Sequence, residues 1–152
     1  MTGRIWFMIF CGVLIVLIGG GLRQSFGVFL RPVSLDMGIG REAFGLVLAA
    51  QALIYGVSQP VVGMLADRFG AIRMIIAGAA LYALGLWLAS IAMSATDLGL
   101  GLGLVVGLGL SGPTQVLVMG AVGKAVPENR RSVVFGTIIA STSLGMFLFV
   151  PG

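Results

Sequence analysis

The sequence predicts an all-α membrane protein of about five transmembrane helices, and three features of its 152 residues predict it. Hydrophobic residues make up 59% of the chain and charged residues only 9%, against roughly 25% charged in soluble domains. The apolar residues, which give a mean hydropathy of +1.14, fall in five runs, each long enough for the ~20 residues a helix needs to cross hydrocarbon. Most of the 25 glycines lie inside those runs, where small residues let helices approach closely without help from water. Run length and the lack of strict alternation favour helices over barrel strands.

The first run, residues 5–30, begins after Arg4 and stays apolar without an A-x-A-like cleavage site, so it reads as a retained helix and not a secretory signal. Its outer part reads Gly20-Gly21-Leu22-Arg23-Gln24-Ser25-Phe26-Gly27. A charge at the bilayer centre costs upward of ~2.5 kcal/mol on insertion scales. Arg23 therefore either faces a cavity, as a bidentate clamp for a carboxylate, or snorkels to the outer headgroups.

The second run, residues 43–65, carries Gln51, Tyr55, Ser58 and Gln59. Gln51, Tyr55 and either Ser58 or Gln59 share one helical face. Such a face either bonds neighbouring helices or lines a wet path, and Pro60 predicts a bend just after it. The third run, 74–93, is the least polar, with Tyr82, Trp87 and Ser90 as its exceptions.

The fourth run, 98–122, holds Gly99, Gly101, Gly103, Gly107, Gly109, Gly112 and Pro113, then Thr114 and Gln115. Residues 107–112 match the dinucleotide fingerprint G-x-G-x-x-G in form, but no strand precedes them and no βαβ unit contains them. Gly99/Gly103 and Gly103/Gly107 read as close-packing faces. Ser111 and Gln115, four apart, either bond within the core or face the same cavity as Gln51. In the fifth run, 132–151, Thr137, Ser141 and Gly145 recur every four residues and predict a close, hydrogen-bonded helix contact. The odd number of runs and the stop at Pro151-Gly152 predict a piece of a longer protein.

Arg4, Arg68, Arg73, Lys124, Arg130 and Arg131 fall on one side of this arrangement, and only Arg31 and Arg41 on the other. Cytoplasmic flanks carry the excess of basic residues, which places the N-terminus inside, across a plasma (inner) membrane, and Ser94-Ala95-Thr96-Asp97 in an external hairpin. The net charge of +4 is then that of the flanks. No basic face with base-reading groups is present, so no nucleic-acid partner is expected. Cys11 is the single cysteine and there is no histidine, so no disulfide, metal or cofactor is expected. Asp36, Glu42, Asp67, Asp97 and Glu128 all lie in or beside loops, which leaves an intramembrane enzyme without its acids.

The stretch Gly63-Met64-Leu65-Ala66-Asp67-Arg68-Phe69-Gly70-Ala71-Ile72-Arg73 follows the second run. Gly63 permits close helix contact, Gly70 supplies a tight turn of positive φ, and Asp67 can bond a helix N-terminus or an arginine. Read by physics alone, Asp67-Arg68 is a solvated turn beside anchoring charges. The stretch closely resembles the signature of the major facilitator superfamily, Gly-x-Leu-Ala-Asp-Arg-x-Gly-Arg-Lys-Arg. It matches at Gly63, Leu65, Ala66, Asp67, Arg68, Gly70 and Arg73 and departs at Ala71 and Ile72. Pro127-Glu128-Asn129-Arg130-Arg131 resembles the Pro-Glu-x-Arg-Arg linker before the fifth span of that superfamily. The segment around Arg23 looks like the first span of the monocarboxylate and oxalate–formate branch, with Arg23 or, one register over, Gln24 at its basic position. No arginine stands in the fourth run, where many proton-coupled antiporters of the superfamily carry one.

The resemblance implies most of the N-terminal six-helix bundle of a secondary transporter that works by alternating access, its C-terminal half lying beyond this chain. It implies a small, anionic solute such as a monocarboxylate, bound by Arg23 or Gln24 with Gln51, Tyr55 and Gln115 as secondary contacts. It also implies an inner gate formed by Gly63, Asp67, Arg68, Gly70 and Arg73, with Asp67 reaching a helix of the other half, and a third span at the lipid-facing edge. The alternative is a non-transporting five-helix accessory or scaffold protein.

Overall fold

A long apolar run that cannot turn to water for hydrogen bonds satisfies its backbone by coiling, and each of the five runs does so. The computed structural model describes residues 2–149. In chain order the helices are α1 (Gly3–Asp36), α2 (Arg41–Phe69), α3 (Ala71–Ser90), α4 (Ala95–Leu98), a π-helical segment (Gly99–Val105), α5 (Val106–Leu110), α6 (Gln115–Gly123) and α7 (Glu128–Phe149). Five stretches are long and apolar enough to span a membrane: Gly3–Val28, Arg41–Phe69, Ala71–Ser90, Ala95–Gly123 and Glu128–Phe149. The fourth of these spans is composite, made of α4, the π segment, α5 and α6. α1 continues through Pro32 to Asp36, and α2 passes Pro60 as one helix. Residues 150 and 151, at the end of the expected fifth run, lie outside the described residues.

The chain forms two compact units. The first comprises Met1–Phe26 and Pro113–Gly152, that is, most of α1 with α6 and α7. Glycines set its helix contacts: a Cβ on Gly12 would lie 2.9 Å from a methyl of Val118, and one on Gly20 3.0 Å from the methyl of Thr142. A Cβ on Gly145 would run into the backbone carbonyl of Leu17. Val16, Val118, Val122 and Ile138 are buried between these helices. The hydrogen-bonded contact expected from Thr137, Ser141 and Gly145 is built differently. Gly145 makes the close approach, whereas Thr137 and Ser141 donate to carbonyls of their own helix, Val133 and Ile138, at 2.9 and 2.6 Å. The bond between helices is Thr142 Oγ1 to Gln115 Oε1, at 3.2 Å.

The second unit, Gly27–Gly112, packs α2 and α3 against the upper part of the fourth span. That span carries two glycine faces. Gly103 and Gly107 meet α2, with a Cβ on Gly107 falling 3.1 Å from the Gln51 carbonyl, and Gly99 approaches Val47 of the same helix. This is the expected small-residue face. Gly101, Gly109 and Gly112 form a second, tighter one: their Cβ atoms would come within 2.9 Å of Ala89 N, 2.5 Å of Tyr82 N and 2.6 Å of Gly78 Cα on α3. Phe44 and Val106 are almost wholly buried here. The Ser94 side chain caps α4 by accepting from Asp97 N at 3.2 Å. Elsewhere large apolar side chains point outward, Phe147 (80% exposed) and Leu46 (71%) among them, a surface suited to lipid and not to water.

Candidate functional site

Span four is interrupted at Ser111-Gly112-Pro113-Thr114, between α5 and α6. Pro113 has no N–H to give and cannot extend α5, which tightens at its end through Ser111 N to Leu108 O (3.2 Å) and Gly112 N to Gly109 O (3.3 Å). A new helix, α6, then starts under Thr114. The Thr114 hydroxyl accepts from Leu117 N at 3.4 Å and its carbonyl from Val118 N at 3.0 Å. The first N–H groups of α6, those of Gln115 and Val116, have no partner within the helix and carry the positive end of its dipole.

Arg23 is placed near that start. Residues four apart share a helix face, and Gly19, one turn before Arg23, lies where a Cβ would sit 3.5 Å from the Pro113 carbonyl. Gln24 stands in the same relation to Gly20, which packs on Thr142. Arg23 and Gln24 are both exposed. Gln115 is half-buried, with Oε1 accepting from Thr142 and Nε2 donating to the Met119 sulfur at 3.9 Å. In the first unit, Arg23 and Gln24 thus follow by one turn the two glycines of α1 that pack on Pro113 and on Thr142, the hydrogen-bond partner of Gln115.

The polar stripe of α2 belongs to the second unit. Gln51 is only 6% exposed and Tyr55 half-buried. Ser58 donates to the Ile54 carbonyl at 2.5 Å and so meets its own need. The stripe therefore runs from Gln51 through Tyr55 to Gln59. Among the described residues, the Nε2 atoms of Gln51 and Gln59 are buried and meet no acceptor. A buried donor without a partner costs about 1–3 kcal/mol, so both amides call for one. Gln59 is the more telling of the two alternatives that helical spacing left open.

The α2–α3 turn is the third group. Gly70 alone links the two helices, at φ +96°, with its N–H donating to the Ala66 carbonyl at 2.9 Å. Gly63 has open space where a Cβ would stand. Asp67, Arg68 and Arg73 are exposed. The Arg68 guanidinium lies 5.5 Å over the Phe69 ring, and among the described residues no ion pair holds Asp67. One contact near the basic linker went unforeseen: Arg131 Nε donates to the Gly123 carbonyl at 2.9 Å and sits 3.7 Å from Glu128. An arginine on α7 thus closes the carbonyl end of α6, and the hint in the sequence is a basic residue nine positions past the end of an apolar run.

Among protein-family models, that of the Major Facilitator Superfamily matches residues 4–152. No curated protein matches the chain.

Proposed function

Because the chain belongs to the major facilitator superfamily of membrane transporters, we propose that it carries part of the solute path of a secondary transporter for a small organic anion, a monocarboxylate first of all. The coarse reading is firm: this is a multi-pass membrane protein of a transporter family. The finer one is supported by a single arrangement, Arg23 one turn beyond the point where α1 meets the start of α6. Transporters bind anions where a broken helix ends inside the membrane, because the free N–H groups and dipole of the half-helix favour negative charge. A guanidinium beside that end adds a bidentate clamp.

In this proposal Arg23 grips the carboxylate, and Gln24 and Gln115 flank it. Gln51 and Tyr55 on α2 are secondary contacts, with the open Nε2 of Gln51 as the donor. Alternating access exposes the site to each side in turn. Asp67, Arg68 and Arg73 form the inner gate, shaped by Gly63 and Gly70, on the cytoplasmic face of the plasma membrane. The partner of Asp67 is a helix of a second half of the transporter.

Uptake of labelled monocarboxylates and dicarboxylates by the full-length protein in proteoliposomes tests the clamp. A hydrogen bond to a charged group is worth about 1.5–3 kcal/mol, so Arg23→Ala should lower transport at low substrate by roughly 10- to 100-fold. Arg23→Lys should retain part of it. Undiminished carboxylate transport in the Arg23→Ala/Gln24→Ala double variant would refute the reading.

A further inference from the structure

α2, α3 and α5 border an apolar groove of about 390 Å³ inside the second unit, with Val57, Val61 and Leu65 on one wall and Met74, Leu81 and Leu108 opposite. Gly78 and Gly112 also line it, and their missing side chains leave the space. The groove has almost no polar surface to offer. The hydroxyl protons of its serines, Ser58 and Ser111, are engaged by the carbonyls of Ile54 and Leu108, each at 2.5 Å. A polar solute would find no donor here.

Its length and its mouth identify a different occupant. From Val57 to Leu65 an α-helix rises about 12 Å, close to the ~15 Å that one leaflet contributes to the hydrocarbon core. At the end marked by Leu65 and Met74 stand two exposed cations: Arg68 follows Leu65 by one turn, and Arg73 adjoins Met74. The Phe69 ring centroid lies 5.5 Å from the Arg68 guanidinium, a cation–π contact. Asp67 is exposed in the same turn, so Asp67, Arg68 and Arg73 together leave it one positive charge. Basic sites between membrane helices on one face recruit acidic headgroups.

We propose that this groove is a binding site for an anionic phospholipid, with one acyl chain lying along Val57, Val61 and Leu65 and the headgroup phosphate between Arg68 and Arg73. Apolar depth matched to one leaflet selects a lipid chain, and the two cations beside its mouth select its charge. The site goes beyond the solute path, shares Arg68 and Arg73 with the proposed inner gate, and rests on the membrane placement of α2 and α3.

The test uses the full-length protein in phosphatidylcholine vesicles carrying a trace of phosphatidylglycerol or phosphatidylcholine with a photoreactive group in the acyl chain. After irradiation, labelled peptides are compared between the groove and the outward face of α1, whose Phe7 and Phe10 serve as the bulk-lipid reference within the same molecule. The expected result is groove labelling enriched with the phosphatidylglycerol probe and not with the phosphatidylcholine probe. Arg68→Gln/Arg73→Gln should lower that enrichment about tenfold. Ala77→Trp, which fills the groove and leaves both arginines in place, should abolish groove labelling while the α1 reference stays labelled. Equal labelling by the two probes would overturn the proposal, and so would an unlabelled groove, which is what a covering protein helix would give. Neither result bears on carboxylate uptake, so the two readings fail separately.

Discussion

At the scale of single residues, Gly70 and Gly63 bracket the signature turn and do different work. Gly70 sits at φ +96° and ψ 137° as the sole link between α2 and α3, a conformation outside the left-handed helical well that costs an L-residue about 1–3 kcal/mol. Gly70→Ala should therefore lower thermal stability in detergent by about that amount. Gly63→Ala meets nothing within 4 Å in this chain and should leave the melting temperature unchanged or raise it slightly, since alanine favours a helix. Loss of transport in Gly63→Ala without loss of stability would mark that position as a contact for another part of the transporter. The sign of φ at Gly70 was legible because only glycine sits easily there. The bond from Thr142 to Gln115 was not, since its partners lie 27 residues apart and local periodicity carries no information about which helices meet.

Span four shows at the level of the element how one sequence can hold two faces. Gly99, Gly103 and Gly107 recur every four residues, and that spacing revealed a close-packing face, which the structure sets against α2. Gly101, Gly109 and Gly112 lie eight and three apart, which also falls on one helical face, but Val105 interrupts the row where a repeat of glycine every four residues would mark it. The face toward α3 was therefore hidden, although it is the tighter of the two. A pair of substitutions two residues apart tests the difference. Gly99→Ala finds its nearest neighbour 3.8 Å away and should be neutral or stabilising, since alanine favours a helix by about 1 kcal/mol. Gly101→Ala meets the Ala89 backbone nitrogen at 2.9 Å and should destabilise by about 1–3 kcal/mol. Denaturation in detergent followed by circular dichroism measures both. The break after Leu110 was also written in the sequence, as Gly112-Pro113 followed by the cap Thr114. Unbroken apolar length masked it, because hydropathy counts transfer into lipid and is blind to a missing N–H.

For the molecule as a whole, five spans place alternate turns on opposite sides of the bilayer. In a Cys11→Ser background, single cysteines at Ala71 and Ala125 should react with a membrane-impermeant thiol reagent from the same side, and one at Thr96 from the other. Reaction of Ala71→Cys and Thr96→Cys from one side would contradict the span assignment. The five-helix architecture was legible because the bilayer demands long apolar helices. The division into units was not, because it follows from which glycines find which backbone. That division sets an order of events during synthesis. The second unit is complete once Gly112 has been made, whereas the first joins the opening 26 residues to the stretch from Pro113 onward. Chains are made N-terminus first, at about 5–20 residues per second. The earliest helix to leave the ribosome therefore waits several seconds for α6 and α7, its glycines at 12 and 20 without the side chains that pack on them until those helices are made.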